Sequence, residues 1–131
     1  MMDNRALGLI VARPGRIRDA WRALLRASCH IDIVDQADDG PSALRTMAEL
    51  PPALVLLDAD LPGDEAHTVL RQIKARWPHI RCILLISNGE HRQLADANGV
   101  DAVLVKGFSM VALSETIAKL LPPIEQMTGG D

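Results

Sequence analysis

Five apolar runs, each followed by a stretch of helical period, constrain this chain more than any other feature. The runs are LGLIVA at 7–12, IDIV at 31–34, ALVLLD at 53–58, RCILLIS at 81–87 and DAVLVK at 101–106. Short runs dense in Leu, Ile and Val suit strands that are covered on both faces. IDIV alternates more than the others, which places the second strand nearer an edge. Parallel neighbours cannot be joined by a tight hairpin and need right-handed crossovers of helical length. The alternation therefore predicts an α/β domain with a doubly wound five-stranded parallel sheet and helices on both faces. Five units are too few for an eight-stranded barrel.

The stretches between the runs carry the expected helix signals. After Pro14 and Gly15, residues Ile17, Ala20, Trp21, Leu24 and Leu25 recur on one side of a helix, while Arg16, Arg18, Arg22 and Arg26 take the other. Pro41 suits a first turn, Ala43, Leu44, Met47 and Ala48 form an apolar stripe, and Pro51 and Pro52 stop that helix. A third helix is predicted from about Asp64 to Trp77, with Val69, Leu70, Ile73 and Trp77 inward. A short fourth helix ends at Asn98 and Gly99, and Ser109 caps a last helix carrying Leu113, Ile117 and Leu120. The 131 residues, 48% of them hydrophobic, suffice for one buried core. The domain is assigned to residues 1–121, and PPIEQMTGGD at 122–131 to a flexible tail or the start of a linker.

Composition narrows the functional classes. Trp21, Trp77 and Phe108 are the whole aromatic set, too few for a base-stacking platform. A net charge of -3 argues against general affinity for nucleic acid or an anionic membrane, so the arginine-rich face of the first helix reads as a solvated surface. Cys29 and Cys82 form no CxxC pair and lie beside or inside apolar segments, as reduced core or near-core thiols of a cytoplasmic protein would. No apolar run approaches the roughly 20 residues of a membrane span, and MMDNRALG is not a signal peptide. His30, His67, His79 and His91 do not converge at metal-binding spacing. The expected localisation is cytoplasmic.

The strand ends carry the chemistry. The first strand ends at Ala12 and Arg13, the third at Asp58, the fourth at Ser87 and the fifth at Lys106. In open α/β sheets, ligands bind beyond the carboxyl ends of the strands, near the point where strand order reverses. A carboxylate, a hydroxyl and an ammonium on one rim suit phosphoryl chemistry, the carboxylate attacking while the other two hold phosphoryl oxygens. Singly, each residue has an ordinary use: Asp58 as a turn residue, Ser87 as a helix cap, Lys106 as a solvated charge. The weight lies in three suitable types at three successive ends.

From about Leu7 to Leu121 the chain resembles the response regulator receiver domains of two-component signalling, the CheY-like proteins. The resemblance rests on LVLLDADLPG around Asp58, on Ser87 after ILLI, on Lys106 in VLVKGF and on WRALL in the first helix. It implies a flavodoxin-like (βα)5 fold with strand order 2-1-3-4-5. It also implies that Asp58 accepts a phosphoryl group from a histidine kinase, with Ser87 and Lys106 as phosphoryl contacts. In the family a magnesium ion is held by an acidic pair ending the first strand, by the acceptor and by the carbonyl two residues on, here that of Asp60. The acidic pair falls on Ala12 and Arg13, so the metal site left to Asp58 and Asp60 is expected to be weak or absent, and no cofactor is assigned.

An organic cation, Arg13 or Lys106, is expected to pair with Asp58 instead. At about 4 Å near a protein surface such a pair attracts by roughly 4 kcal/mol before desolvation. The aromatic whose rotation reports phosphorylation in the family is replaced by Val103. The proline after the lysine is replaced by Gly107, where a trans bond is expected. The segment from Ser87 to Lys106 is shorter than the family pattern by nearly one helical turn.

The chain is accordingly read as an atypical receiver domain, not an enzyme. It would act as a signalling interaction module in a phosphorelay, with magnesium-dependent phosphorylation of Asp58 impaired. The partners expected are a histidine kinase or another signalling protein, or a second copy in a homodimer, without direct nucleic-acid or membrane binding. One alternative is a conventional receiver phosphorylated on Asp58. The other is a phosphatase of the haloacid-dehalogenase type with Asp58 as nucleophile and Asp60 as general acid. Against the second, DADLP stands where DxDGT is expected, and two strand-helix units precede the motif.

Overall fold

A computed structural model describes residues 6–87 and 100–121. In chain order these form β1 (Leu7–Val11), α1 (Arg16–Arg26), β2 (Ile33–Ala37), α2 (Gly40–Glu49), β3 (Leu54–Asp58), α3 (Glu65–Arg76), β4 (Arg81–Ile86), β5 (Ala102–Val105) and α4 (Met110–Leu120). The short helix predicted to end at Asn98 and Gly99, the His91 it carries and the tail from residue 122 lie outside the described residues.

All five strands pair in parallel in the order β2-β1-β3-β4-β5, the doubly wound sheet that the alternation predicts. Strand pleating sends successive side chains to opposite faces. Leu9, Val11, Val55, Leu57, Leu84 and Ile86 therefore enter a layer with α2 and α3. Ile10, Leu54, Leu56, Ile83 and Leu85 enter the other, with α1 and α4. Between them, β1, β3 and β4 are buried on both faces, which is why their sequences show no polar alternation.

The helices begin where local chemistry allows. Asp39 caps α2 by accepting from the Ser42 backbone N–H at 2.8 Å, with Pro41 in the first turn. Ser109 caps α4 in the same way through the Ala112 N–H at 3.0 Å. Gly40 allows a close approach where α2 meets α3: a Cβ there would lie 3.2 Å from Glu65 Cβ, while Glu65 Oε1 accepts from the Gly40 N–H at 2.9 Å. No cis peptide bond occurs among the described residues, and Gly107 adopts a φ of 92° that suits glycine.

Four expectations are corrected. The second strand runs from Ile33 to Ala37 rather than 31–34. It is an edge strand with only β1 beside it, so its pairing residues alternate between solvent and core and give a weak apolar signal. The inward face of α1 is Arg18, Trp21 and Leu25, whereas Ile17 is 61% exposed. Ala48 is exposed at the end of the α2 stripe. Cys29 is exposed, and only Cys82 is a core thiol, its ionisation pushed up by burial.

Candidate functional site

Register sets the rim. Asp58 is the last residue of β3 and pairs with Leu85, and the next residue, Ala59, donates its N–H to the Leu85 carbonyl at 2.9 Å. Ser87 follows β4 directly. Lys106 follows β5, with its N–H on the Ile86 carbonyl at 2.8 Å. Sheet hydrogen bonding thus fixes three strand ends side by side, and the side chains they carry converge.

The turn after β3 brings in a fourth group. The Asp60 N–H donates to Asp58 Oδ1 at 2.9 Å, so the acceptor carboxylate holds the turn and directs the Asp60 side chain back over the rim. Lys106 Nζ then bridges the two acids, 2.7 Å from Asp58 Oδ1 and 2.6 Å from Asp60 Oδ2. The Ser87 hydroxyl donates to the same Asp60 Oδ2. Asp58 is the more enclosed acid, its side chain 15% exposed against 40% for Asp60. The sequence placed Asp58, Ser87 and Lys106 on one rim. It gave Asp60 a place in a weak or absent metal site and, in the phosphatase alternative, the role of general acid, and missed its carboxylate as the hub that joins Ser87 and Lys106.

The Trp21 ring stands beside the ammonium and carries Phe108 on it. Lys106 Nζ stands 5.8 Å from the centre of the Trp21 ring, which lies 6.5 Å from the Phe108 ring and nearly parallel to it. Burial pulls the Lys106 pKa down, but hydrogen bonds and charge from Asp58 and Asp60 outweigh it, and the net shift is upward from 10.5. A raised folded value gives stability that is complete below the unfolded value and is lost as pH rises through the folded one. Urea midpoints are therefore expected to fall more steeply above about pH 10.5 in the native chain than in Lys106→Met.

The end of β1 contributes no acid. Ala12 is buried and Arg13 is exposed, and the ion pair with Asp58 is made by Lys106 rather than by Arg13. Arg18 has turned inward from α1: its Nη1 donates to the Ala12 carbonyl at 3.2 Å and pairs with Asp38 beyond β2. Magnesium requires several oxygen ligands in near-octahedral array. Here one carbonyl at the end of β1 accepts from a guanidinium, and both carboxylates of the β3 turn are paired with an ammonium. Among the described residues, no group of three or more His, Cys, Asp or Glu is placed to hold a metal ion. This donor set does not fit magnesium.

Residues 9–118 match the family described as the response regulator receiver domain. The chain belongs to that family. The receiver is 31% identical over 108 residues to response regulator protein VraR of Staphylococcus saprophyticus, covering 79% of this chain and 50% of that one. It is 29% identical to sporulation initiation phosphotransferase F of Bacillus subtilis, over 66% of this chain and 72% of that one. With the Fimbriae Z protein of Salmonella typhimurium it shares 34% identity over 56% of its own length and 35% of the relative's. The chain thus spans half or less of two of these three curated relatives.

Solved structures agree on the fold. The signal receiver domain of an HD domain-containing protein from Pseudomonas fluorescens superposes with a TM-score of 0.82 at 22% identity, covering 98% of this receiver and 96% of that chain. Chemotaxis protein CheY4 of Vibrio cholerae gives 0.76 at 21% identity, covering 89% and 99%. No helix among the described residues is long and apolar enough to cross a membrane.

Proposed function

We propose that this receiver domain is an atypical one, a signalling interaction module of a phosphorelay in which magnesium-dependent phosphorylation of Asp58 is impaired. One observation carries the reading: Lys106 Nζ engages both acids of the β3 turn, while the end of β1 presents Ala12 and Arg13. Phosphoryl transfer onto a carboxylate places more negative charge beside Asp60, and a divalent cation is what ordinarily offsets such charge. Here Lys106 is the cation at hand, and one positive charge already serves two carboxylates. Asp58 remains the acceptor position, Ser87 and Lys106 the phosphoryl contacts, and Val103 the place of the missing aromatic switch.

The partner is a histidine kinase or another signalling protein, and the role is binding rather than turnover. Incubation with a small phosphodonor and magnesium, read by intact mass, is expected to leave the native chain unmodified. A gain of one phosphoryl group that disappears in Asp58→Asn would overturn the reading in favour of a conventional receiver.

A further inference from the structure

The Ser87 hydroxyl and the Lys106 ammonium are the two donors that the proposed reading assigns to phosphoryl oxygens, and both are engaged by one atom, Asp60 Oδ2. We infer that the Asp60 carboxylate is a built-in ligand of this subsite. It fills the place of an external oxyanion and holds the ends of β4 and β5 in the ligand-engaged arrangement with no phosphoryl group present. This inference rests on the receiver reading and deepens it.

Three features support it. The chemistry matches, because a carboxylate accepting from a hydroxyl and an ammonium meets the same charge-assisted bonds that a phosphoryl oxygen would meet. The position is held, because the Asp60 N–H is bonded to Asp58 Oδ1 and the Leu61 N–H reaches the Asp58 carbonyl at 3.4 Å, which closes the turn. The donors are held too, because Ser87 directly follows the last residue of β4 and the Lys106 backbone is tied to Ile86. The inferred role is specific to an acid at this position. Alanine would free the Ser87 hydroxyl and leave Lys106 bonded to Asp58 alone, and asparagine would offer an acceptor without the charge.

The test is a titration of the native chain, Asp60→Ala and Asp60→Ala/Lys106→Ala with inorganic phosphate at constant ionic strength, read by amide NMR shifts. Orthophosphate forms no bond to Asp58, so the titration reports the subsite apart from metal binding and transfer chemistry. Asp60→Ala is expected to show saturable shifts centred on Ser87 and Lys106, with affinity about tenfold or more above the native chain, the scale of one charge-assisted hydrogen bond. The double variant is expected to lose them. Equal phosphate binding by the native chain and Asp60→Ala, or none by a folded Asp60→Ala, overturns the inference. If Asp60→Ala does not fold, Asp60→Asn carries the same comparison. Phosphoryl incorporation at Asp58 in the native chain would instead sink the underlying reading, whichever way this titration falls.

Discussion

Leu57→Ala is expected to destabilise the receiver by about 3–5 kcal/mol, the range of a fully buried leucine whose site cannot collapse. Leu57 is fully buried in the central strand of the sheet, in the layer with α2 and α3. Both neighbouring strands present their own side chains to the same layer, so the deletion leaves a void bounded by residues fixed in sheet register. Total stability of small domains is only about 5–15 kcal/mol, so the loss takes roughly a fifth or more of it. The thermal midpoint should fall by roughly 10 °C or more. Calorimetry or urea unfolding reads this directly, and a loss below about 1.5 kcal/mol would mean that β3 is not held in a packed two-sided layer. Leu57 immediately precedes Asp58, yet the ties of Asp58 to Asp60 and Lys106 belong to the rim and not to that layer. Stability and site chemistry should therefore separate in this variant.

The same division between layer and rim explains what the sequence made legible. Periodicity reports burial, and the strands covered on both faces announced themselves as unbroken apolar runs. From these, and from the apolar run of the edge strand β5, the parallel pairing and the strand-end positions of Asp58, Ser87 and Lys106 followed, while the strand order came from the family resemblance. At the edge strand β2 the signal fades: of its pairing residues Ile33–Ala37 the run IDIV marks only Ile33 and Val34, and Asp35 and Gln36 interrupt it. The inward turn of Arg18 was hidden because a helical period sees only the residue's own helix. Its partner Asp38 lies 20 residues away beyond another strand, and that tertiary contact draws a cation inward while Ile17 is left outside.

The hub role of Asp60 was illegible for a related reason. Its contacts to Ser87 and Lys106 span 27 and 46 residues and exist only because two crossovers bring three strand ends together. The one local signal was the second acid of DAD, which the phosphatase alternative noticed and assigned to another chemistry. Trp21 and Phe108 offered a similar hint, an aromatic two residues after the lysine, but only the fold places the α1 ring against it.

Replacing Ala12 and Arg13 together by aspartate is expected to create the magnesium dependence that the native donor set does not support. The double change converts a methyl group and an exposed cation into two carboxylates at the end of β1, beside β3 and its acids. Without metal the variant should be less stable than the native chain, because Ala12 is only 2% exposed and a carboxylate there is desolvated. With metal the order should change. Ligands held by a fold and absent from the unfolded chain stabilise by mass action, about 2.7 kcal/mol at a free ion concentration near 100 times Kd. Thermal midpoints measured over a magnesium series should therefore rise for the double variant and stay flat for the native chain. Arg13→Asp alone should give a smaller rise, since Ala12 would still supply no oxygen ligand. A native chain stabilised by magnesium as strongly as the double variant would show that Lys106 yields its two carboxylates to a metal readily, and the pairing could then no longer support the proposed impairment of phosphorylation at Asp58. A double variant that binds no magnesium would show the reverse, that the bridge from Lys106 to Asp58 and Asp60 outcompetes the ion even when the missing acids are supplied.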